Sequence, residues 1–282
     1  MDTYFDYHTL HHNEDRTKTL ELWSKEFLEF INVKYINPPH IISSTDFEAD
    51  SLQIAVDKET ASIREMIDKG QSHIGRMFFP LKERNDYYII FKDELFNNNW
   101  KALSTFAHEF THVIDYKNFI AHDTMMNGNK YTKNIKDHPL YPIMFHWGEF
   151  HANYVQRLFS MWLLMRLNPD KYSKQYFQDY ILNQEIINSN IDVMANYRNN
   201  MVPISELYIY IGRYLAYEKV CPTEFSEFKM FPTKLFRDFE KHIRFLYNYL
   251  SGHSKFCNSF TNLEGVVEFE LGIPALLDKS EI

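Results

Sequence analysis

Residues 108–112, with the sequence HEFTH, have the clearest capacity for chemistry in this chain. Two histidines four positions apart lie on one face of an α-helix, one turn from each other, so both imidazoles can reach the same ion. A glutamate beside the first histidine can accept a proton from a water molecule on that ion without being a ligand itself. With 13 histidines in 282 residues, about 0.04 accidental H-E-x-x-H matches are expected. The motif therefore predicts a zinc site.

A catalytic zinc ion needs a third protein ligand besides His108 and His112, with one position left for water. In the metzincin class a glycine and a histidine follow three and six positions after the motif, but Asp115 and Asn118 stand there in this chain. The gluzincin class takes a glutamate from a later helix, and Glu149 lies in such a segment. We therefore predict Glu149 as the third ligand. The alternative is a solvated charge on a helix.

Two further side chains on the same predicted helix are expected to assist the site. Asn153, one turn after Glu149, is expected to hydrogen-bond the far nitrogen of a ligating histidine. His146, one turn before Glu149, is expected to stabilise an oxyanion or to contact substrate, the alternative being a packed or surface histidine. The predicted catalytic residues are thus Glu109, as the general base, and His146.

Helical periodicity places both parts of the predicted site on helices. Apolar residues recur every three or four positions from Lys101 to about Lys117, which predicts an amphipathic helix with one buried stripe. Pro142 suits the first turn of the next helix, and the Asn-Pro pair at 168–169 ends it. Similar spacing predicts an earlier helix from about Asp15 to Ile31.

A small sheet is predicted in front of the motif helix. Residues 73–81 and 87–91 are rich in aromatic and β-branched types and predict a β-hairpin, and alternating apolar positions at 52–56 predict another short strand. The second hairpin strand is expected to have a free edge that can pair with an extended peptide. From residue 171 onward the chain is predicted to be helical. The predicted fold class is α+β and predominantly helical, with a small sheet.

These motifs resemble the ImmA/IrrE-type minimal gluzincins, which pair H-E-x-x-H with a downstream E-x-x-A-[ND]. Here FAHEFTH follows the predicted hairpin, and EFHAN follows at residues 149–153. The resemblance covers residues 46–170 and implies a zincin-like core with Glu109 as the general base. It also implies that Zn²⁺ is bound by three residues, namely His108, His112 and Glu149.

The sequence departs from that family at several positions. Thr111 stands where the family often has glycine, Asp115 and Tyr116 follow the motif, and the spacer before the third ligand is longer. The H-E-F-x-H-x-x-D string is also similar, more distantly, to lethal-factor-like gluzincins. The predicted organisation is an N-terminal helical segment (1–45), a zincin-like core (46–170) and a helical C-terminal region (171–282) that closes or frames the cleft.

The resemblance implies a zinc metallopeptidase that hydrolyses peptide bonds in a protein or peptide substrate. In such a mechanism zinc lowers the pKa of a bound water, and Glu109 accepts its proton and later protonates the leaving amine. The alternative function is a catalytically inactive zincin-like protein that binds or regulates a partner, with metal kept for folding. A regulatory DNA-binding protein is the least favoured hypothesis, because the sequence shows no clear helix-turn-helix motif.

Composition and charge limit the remaining classes. A formal net charge of −8 provides no overall positive field, which argues against a nucleic-acid partner. Only two cysteines occur, Cys221 and Cys257, without C-x-x-C spacing, which favours a reducing compartment over a disulfide framework. The polar start and the short apolar stretches predict no signal peptide and no membrane span. We therefore expect a cytoplasmic protein, and the sequence predicts no oligomeric state.

Overall fold

The computed structural model describes residues 10–32, 39–57, 74–78, 87–122, 141–180, 204–220, 231 and 233–252. These residues form seven α-helices, three β-strands and one short 3₁₀ helix. The chain divides into two compact units, Met1–His138 and Pro139–Ile282. None of the described helices combines the length and the apolar character that crossing a membrane requires. The prediction of a mainly helical protein with a small sheet is confirmed.

The first unit has one three-stranded sheet among the described residues. Strand β3 (Tyr88–Lys92) is central, with β1 (His40–Ser44) parallel to it on one side and β2 (Gly75–Phe78) antiparallel to it on the other. The 3₁₀ helix leads from β3 into the helix that carries the HEFTH motif. The elements of this unit are α1 (Glu14–Ile31), β1 (His40–Ser44), α2 (Phe47–Asp57), β2 (Gly75–Phe78), β3 (Tyr88–Lys92), the 3₁₀ helix (Asp93–Asn97) and α3 (Asn99–His122).

Both faces of the sheet are covered by apolar side chains. On one face Ile42 and Ile90 are fully buried together with Phe47 and Ile54 of α2. On the other face aromatic rings of α1 and α3 pack together, and Phe27 lies 6.0 Å from Phe106 between ring centroids. Large buried rings contribute much of the burial that stabilises a domain. The sheet and its aromatic face therefore hold α3 in place.

Several predicted elements of this unit are confirmed. Helix α1 covers the predicted range, with the Asn13 side chain accepting a hydrogen bond from the Arg16 amide at its start. Helix α3 covers and extends the predicted motif helix. The antiparallel pair of β2 and β3 confirms the predicted hairpin strands, while the turn between them lies outside the described residues.

The strand predicted at residues 52–56 is wrong, because this segment lies in helix α2. Three alternating apolar positions also fit a helix whose buried side recurs every three or four residues. The buried positions of α2 follow that second spacing, from Phe47 through Asp50 and Ser51 to Ile54. Because two of these buried positions, Asp50 and Ser51, are polar, the apolar residues alone do not show the helical period.

The predicted free edge of β3 is also wrong. Strand β1 pairs with β3 along its whole length, from His40 opposite Tyr88 to Ser44 opposite Lys92. No local sequence signal reports this pairing, because the partners are 48 positions apart and parallel strands need a long connection. The segment 1–45, predicted as a separate helical region, thus supplies a strand of the sheet.

The second unit is helical in its described residues. Helix α4 (Tyr141–Leu167) matches the predicted range that begins near Pro142, and α6 (Ile204–Val220) lies in the region from residue 171 onward that is predicted to be helical. Residues 181–203, 221–230 and 253–282 lie outside the described residues, as does residue 232. The boundary between the compact units, at residues 138 and 139, coincides with neither predicted boundary, at 45 or 170. The helices described in the second unit are α4 (Tyr141–Leu167), α5 (Lys174–Tyr180), α6 (Ile204–Val220) and α7 (Thr233–Gly252).

Candidate metal centre

Helix α3 presents the two histidines of the motif on an edge beside its buried stripe. Phe106, Phe110 and Val113 are fully buried, whereas His108 and His112 are half-buried. Residues four apart project from the same side of a helix. The apolar stripe therefore fixes the helix in the first unit while both imidazoles stay accessible to an ion.

The geometry of the two imidazoles suits a shared ligand. Their Nε2 atoms lie 3.0 Å apart, their ring centroids 4.5 Å apart, and their planes meet at 89°. Metal–nitrogen bonds of 2.0–2.1 Å at a tetrahedral angle separate two such nitrogens by about 3.3 Å. The observed separation is close to that value, so both nitrogens can reach one ion with little movement.

Glu149 completes a group of three metal-ligating side chains. His108, His112 and Glu149 each offer one ligand atom, and these atoms all lie within 4.8 Å of one another. All three residues are half-buried. The cluster can hold a metal ion, and its two imidazole nitrogens and one carboxylate oxygen suit several first-row metals. The structure thus brings together the predicted ligands, while zinc as the metal stays a prediction.

Glu109 and His146 are the two residues predicted to be catalytic. Glu109 is half-buried on α3, directly beside the first histidine ligand. His146 is half-buried on α4, and its ring is stacked on Tyr208 at 5.6 Å between centroids, with planes 20° apart. Burial lowers the pKa of His146, and the nearby Glu149 carboxylate partly opposes that shift. The catalytic roles of both residues stay predictions.

The predicted role of Asn153 is wrong. Its Nδ2 donates to the backbone carbonyl of Glu149 at 2.8 Å, and its Oδ1 accepts from Gln156 Nε2 at 2.9 Å and from Arg213 Nε at 3.0 Å. Asn153 is 2% exposed. A buried amide must satisfy its polar atoms where it lies, and the partners here come from α4 and α6. Its amide does not contact a histidine of the motif.

Sequence reasoning missed Arg213 and Gln156 as members of this network. Gln156 carries a weak signal, since it lies one turn after Asn153 on the same helix. Arg213 carries none, because it is 60 positions away and no pattern in the chain links the two helices. Only the packing of α6 on α4 brings the guanidinium to Asn153.

No family model, curated protein or solved structure matches this chain. The resemblance to the minimal gluzincins therefore rests on the two sequence motifs and stays a prediction.

Proposed function

We propose that this protein is a zinc-dependent metallopeptidase of the gluzincin type, which hydrolyses peptide bonds in a protein or peptide substrate. The proposal rests on one observation. The ligand atoms of His108, His112 and Glu149 lie within 4.8 Å of one another. The two histidines come from one helical turn, and the glutamate comes from a later helix. This is the arrangement that the H-E-x-x-H motif requires for catalysis.

The donor set supports zinc with an open position. Two histidines and one carboxylate are a known catalytic ligand set, whereas structural zinc sites have four protein ligands. The chemistry that zinc supplies in such a site is activation of water and polarisation of a carbonyl group. Among the described residues, these three form the group that can hold an ion, which leaves the fourth position for water or substrate.

Glu109 is the residue that we assign to the proton transfers of the reaction. Its carboxylate stands on α3 one residue after His108, so it lies beside the predicted ion without being one of the three ligands. We assign it to accept a proton from the attacking water and to deliver that proton to the leaving amine. A general base of this kind typically contributes about 10²- to 10⁴-fold to the rate.

The buried stripe of α3 stabilises the helix that carries the two histidines. Phe106 and Phe110 are fully buried, and their ring centroids lie 5.6 Å apart. The helical repeat itself sets the relative geometry of the two histidines before an ion binds, and this packed core keeps the helix folded and in place.

The test combines metal analysis with cleavage of a peptide library by full-length protein. We expect wild type to bind about one zinc ion per chain and to cleave peptides, and Glu109→Gln to keep the zinc and lose cleavage. Glu21→Gln, an exposed glutamate on α1, is the matched control and should behave as wild type. Undiminished cleavage by Glu109→Gln would remove the proposed base.

The third ligand has its own test. Glu149→Ala should lose most of the bound zinc, while Glu206→Ala, an exposed glutamate on α6, should retain it. Wild type that binds zinc tightly and cleaves no peptide would instead support the inactive partner-binding alternative.

A further inference from the structure

Helix α6 contacts α4 immediately around Glu149. The ring of Tyr208 lies 5.6 Å from that of His146 and 6.5 Å from that of Phe150, measured between centroids. One turn later on α6, a Cβ atom added to Gly212 would overlap with the backbone carbonyl oxygen of Phe150. The backbones of the two helices therefore touch at the residue that follows Glu149. Only glycine permits this approach without a shift of one helix.

The Asn153 network adds polar contacts at the same turn. Both lone pairs of its Oδ1 are used, one by Gln156 and one by Arg213, so the amide can face only one way. Its Nδ2 then points at the Glu149 carbonyl, 2.8 Å away. Asn153 and Gln156 are 2% and 6% exposed, so water competes little for these hydrogen bonds.

The contribution of Arg213 differs from that of the packing residues beside it. Ile211 and Leu215, on the same helix, are each 1% exposed, and their side chains have no polar atoms. Arg213 is half-buried and donates a hydrogen bond from an ionised group, which is stronger than a bond between neutral groups. Its removal would leave the Asn153 carbonyl oxygen with one donor instead of two.

We propose that Arg213 is a positioning residue for the metal ligand Glu149, acting through Asn153. The inference rests on the proposed function, since it assumes that Glu149 binds the ion. The reach of a carboxylate on a helix depends on the position and rotation of its own turn. Asn153 holds the backbone of that turn, and Arg213 fixes Asn153 to α6. Groups that orient metal ligands typically change metal affinity 10- to 100-fold when they are removed.

The test is a metal titration of full-length, metal-free protein with Zn²⁺ and Co²⁺ in the presence of a competing chelator. We expect Arg213→Gln to weaken affinity about tenfold and to change the visible absorption of bound Co²⁺, which reports ligand geometry. Leu215→Ala is the matched control. It removes a buried apolar side chain of α6, so its thermal stability should fall while its metal affinity stays at the wild-type value.

Two further variants separate positioning from general packing. Asn153→Asp keeps an acceptor for Arg213 and loses the donor to the Glu149 carbonyl, so it should weaken affinity as Arg213→Gln does. It also replaces Arg213→Gln as the decisive variant if the latter does not fold. In a Glu149→Ala background, Arg213→Gln should leave the residual affinity unchanged, because the coupling requires the carboxylate.

The outcomes distinguish the two proposals. Wild-type affinity in both Arg213→Gln and Asn153→Asp would overturn the positioning role, and so would an equal loss in Leu215→Ala. If Glu149→Ala itself binds metal as tightly as wild type, the ligand set of the proposed function fails, and the role of Arg213 fails with it. If Glu149→Ala weakens binding and the Arg213 and Asn153 variants do not, only the positioning role fails.

Discussion

The two helices that carry the candidate ligands, α3 and α4, differ in how far their polar side chains are buried. In α3 the buried residues form a stripe on one side, and the polar edge holds His108 and His112 half-buried. In α4 every residue from 150 to 156 is buried, including the polar residues His151, Asn153 and Gln156. A helix buried all round cannot send its polar groups to water. Its internal polar partners therefore become part of the structure.

The two halves of the site are therefore held in place by different kinds of contact. The histidines of α3 are held by aromatic packing, in which Phe106 contacts rings of α1, β3 and its own helix. The turn of Glu149 is held by a close backbone contact at Gly212 and by the Asn153 network. Changes in the first region should act mainly on stability, and changes in the second should also act on ligand geometry.

The largest expected effect is on turnover. Glu109→Gln keeps the shape of α3 and removes the proposed general base, so the proposed function predicts that the cleavage rate falls by about 10²- to 10⁴-fold. Zinc content and thermal stability should match those of wild type, measured by elemental analysis and by thermal unfolding. A variant that loses its zinc as well would show that Glu109 supports metal binding and would contradict its assignment as a base alone.

The second-largest effect is expected on stability, when a substitution breaks the aromatic packing of the first unit. Phe106 is fully buried between Phe27 and Phe110, at 6.0 and 5.6 Å between centroids. Phe106→Ala should lower the free energy of unfolding by about 3–5 kcal/mol, measured by chemical denaturation. Leu22→Ala, an exposed apolar residue on α1, is the control and should change it little. A loss below about 1 kcal/mol would contradict the assignment of this core.

A smaller effect tests the helix contact of the second unit. Gly212→Ala adds a methyl group where the Phe150 carbonyl leaves no space, so α6 must move outward. Overpacking of this kind costs about 1–3 kcal/mol, measured by chemical denaturation. Because the shift also moves the turn of Glu149, zinc affinity should fall with stability, whereas Phe106→Ala should spare affinity under folding conditions. Unchanged stability in Gly212→Ala would contradict the close contact.

The smallest effect distinguishes two histidines in the metal-free protein. His11 hydrogen-bonds the buried Asp50 carboxylate at 3.0 Å, which raises the pKa of His11, whereas burial lowers the pKa of His146. The stabilisation from His11 is complete below pH 6.5 and is lost as the pH rises through its folded-state pKa. The stabilisation linked to neutral His146 is present above pH 6.5 and is lost as the pH falls through its folded-state pKa.

An NMR titration of the imidazole protons measures both pKa values directly. We expect the two midpoints on opposite sides of 6.5, with His11 above and His146 below. Asp50→Asn should bring the midpoint of His11 down toward 6.5, because it removes the charge that favours the protonated ring, and should leave His146 unchanged. Equal midpoints for the two histidines in wild type would contradict both environments.

Local patterns predicted the elements whose stabilising contacts repeat along the chain. Helices α1, α3 and α4 have apolar positions at a regular spacing, and strands β2 and β3 lie close in sequence, so all five were predictable. Strand β1 was missed because its partner strand lies 48 positions away. Helix α2 was taken for a strand because buried Asp50 and Ser51 interrupt its apolar period. Asp50 is buried because Ser44 and His11 hydrogen-bond its carboxylate, which no spacing rule reports.

By itself the sequence determined that His108 and His112 face the same side of a helix, where both can reach one ion, since their spacing depends only on the helical repeat. It also named Glu149, through its place in the next helix. The tertiary structure alone decided which groups hold that glutamate, because Gly212 and Arg213 reach α4 only when α6 packs against it. A helix presents its own residues by a fixed geometry, whereas contacts between distant segments exist only after the chain has folded.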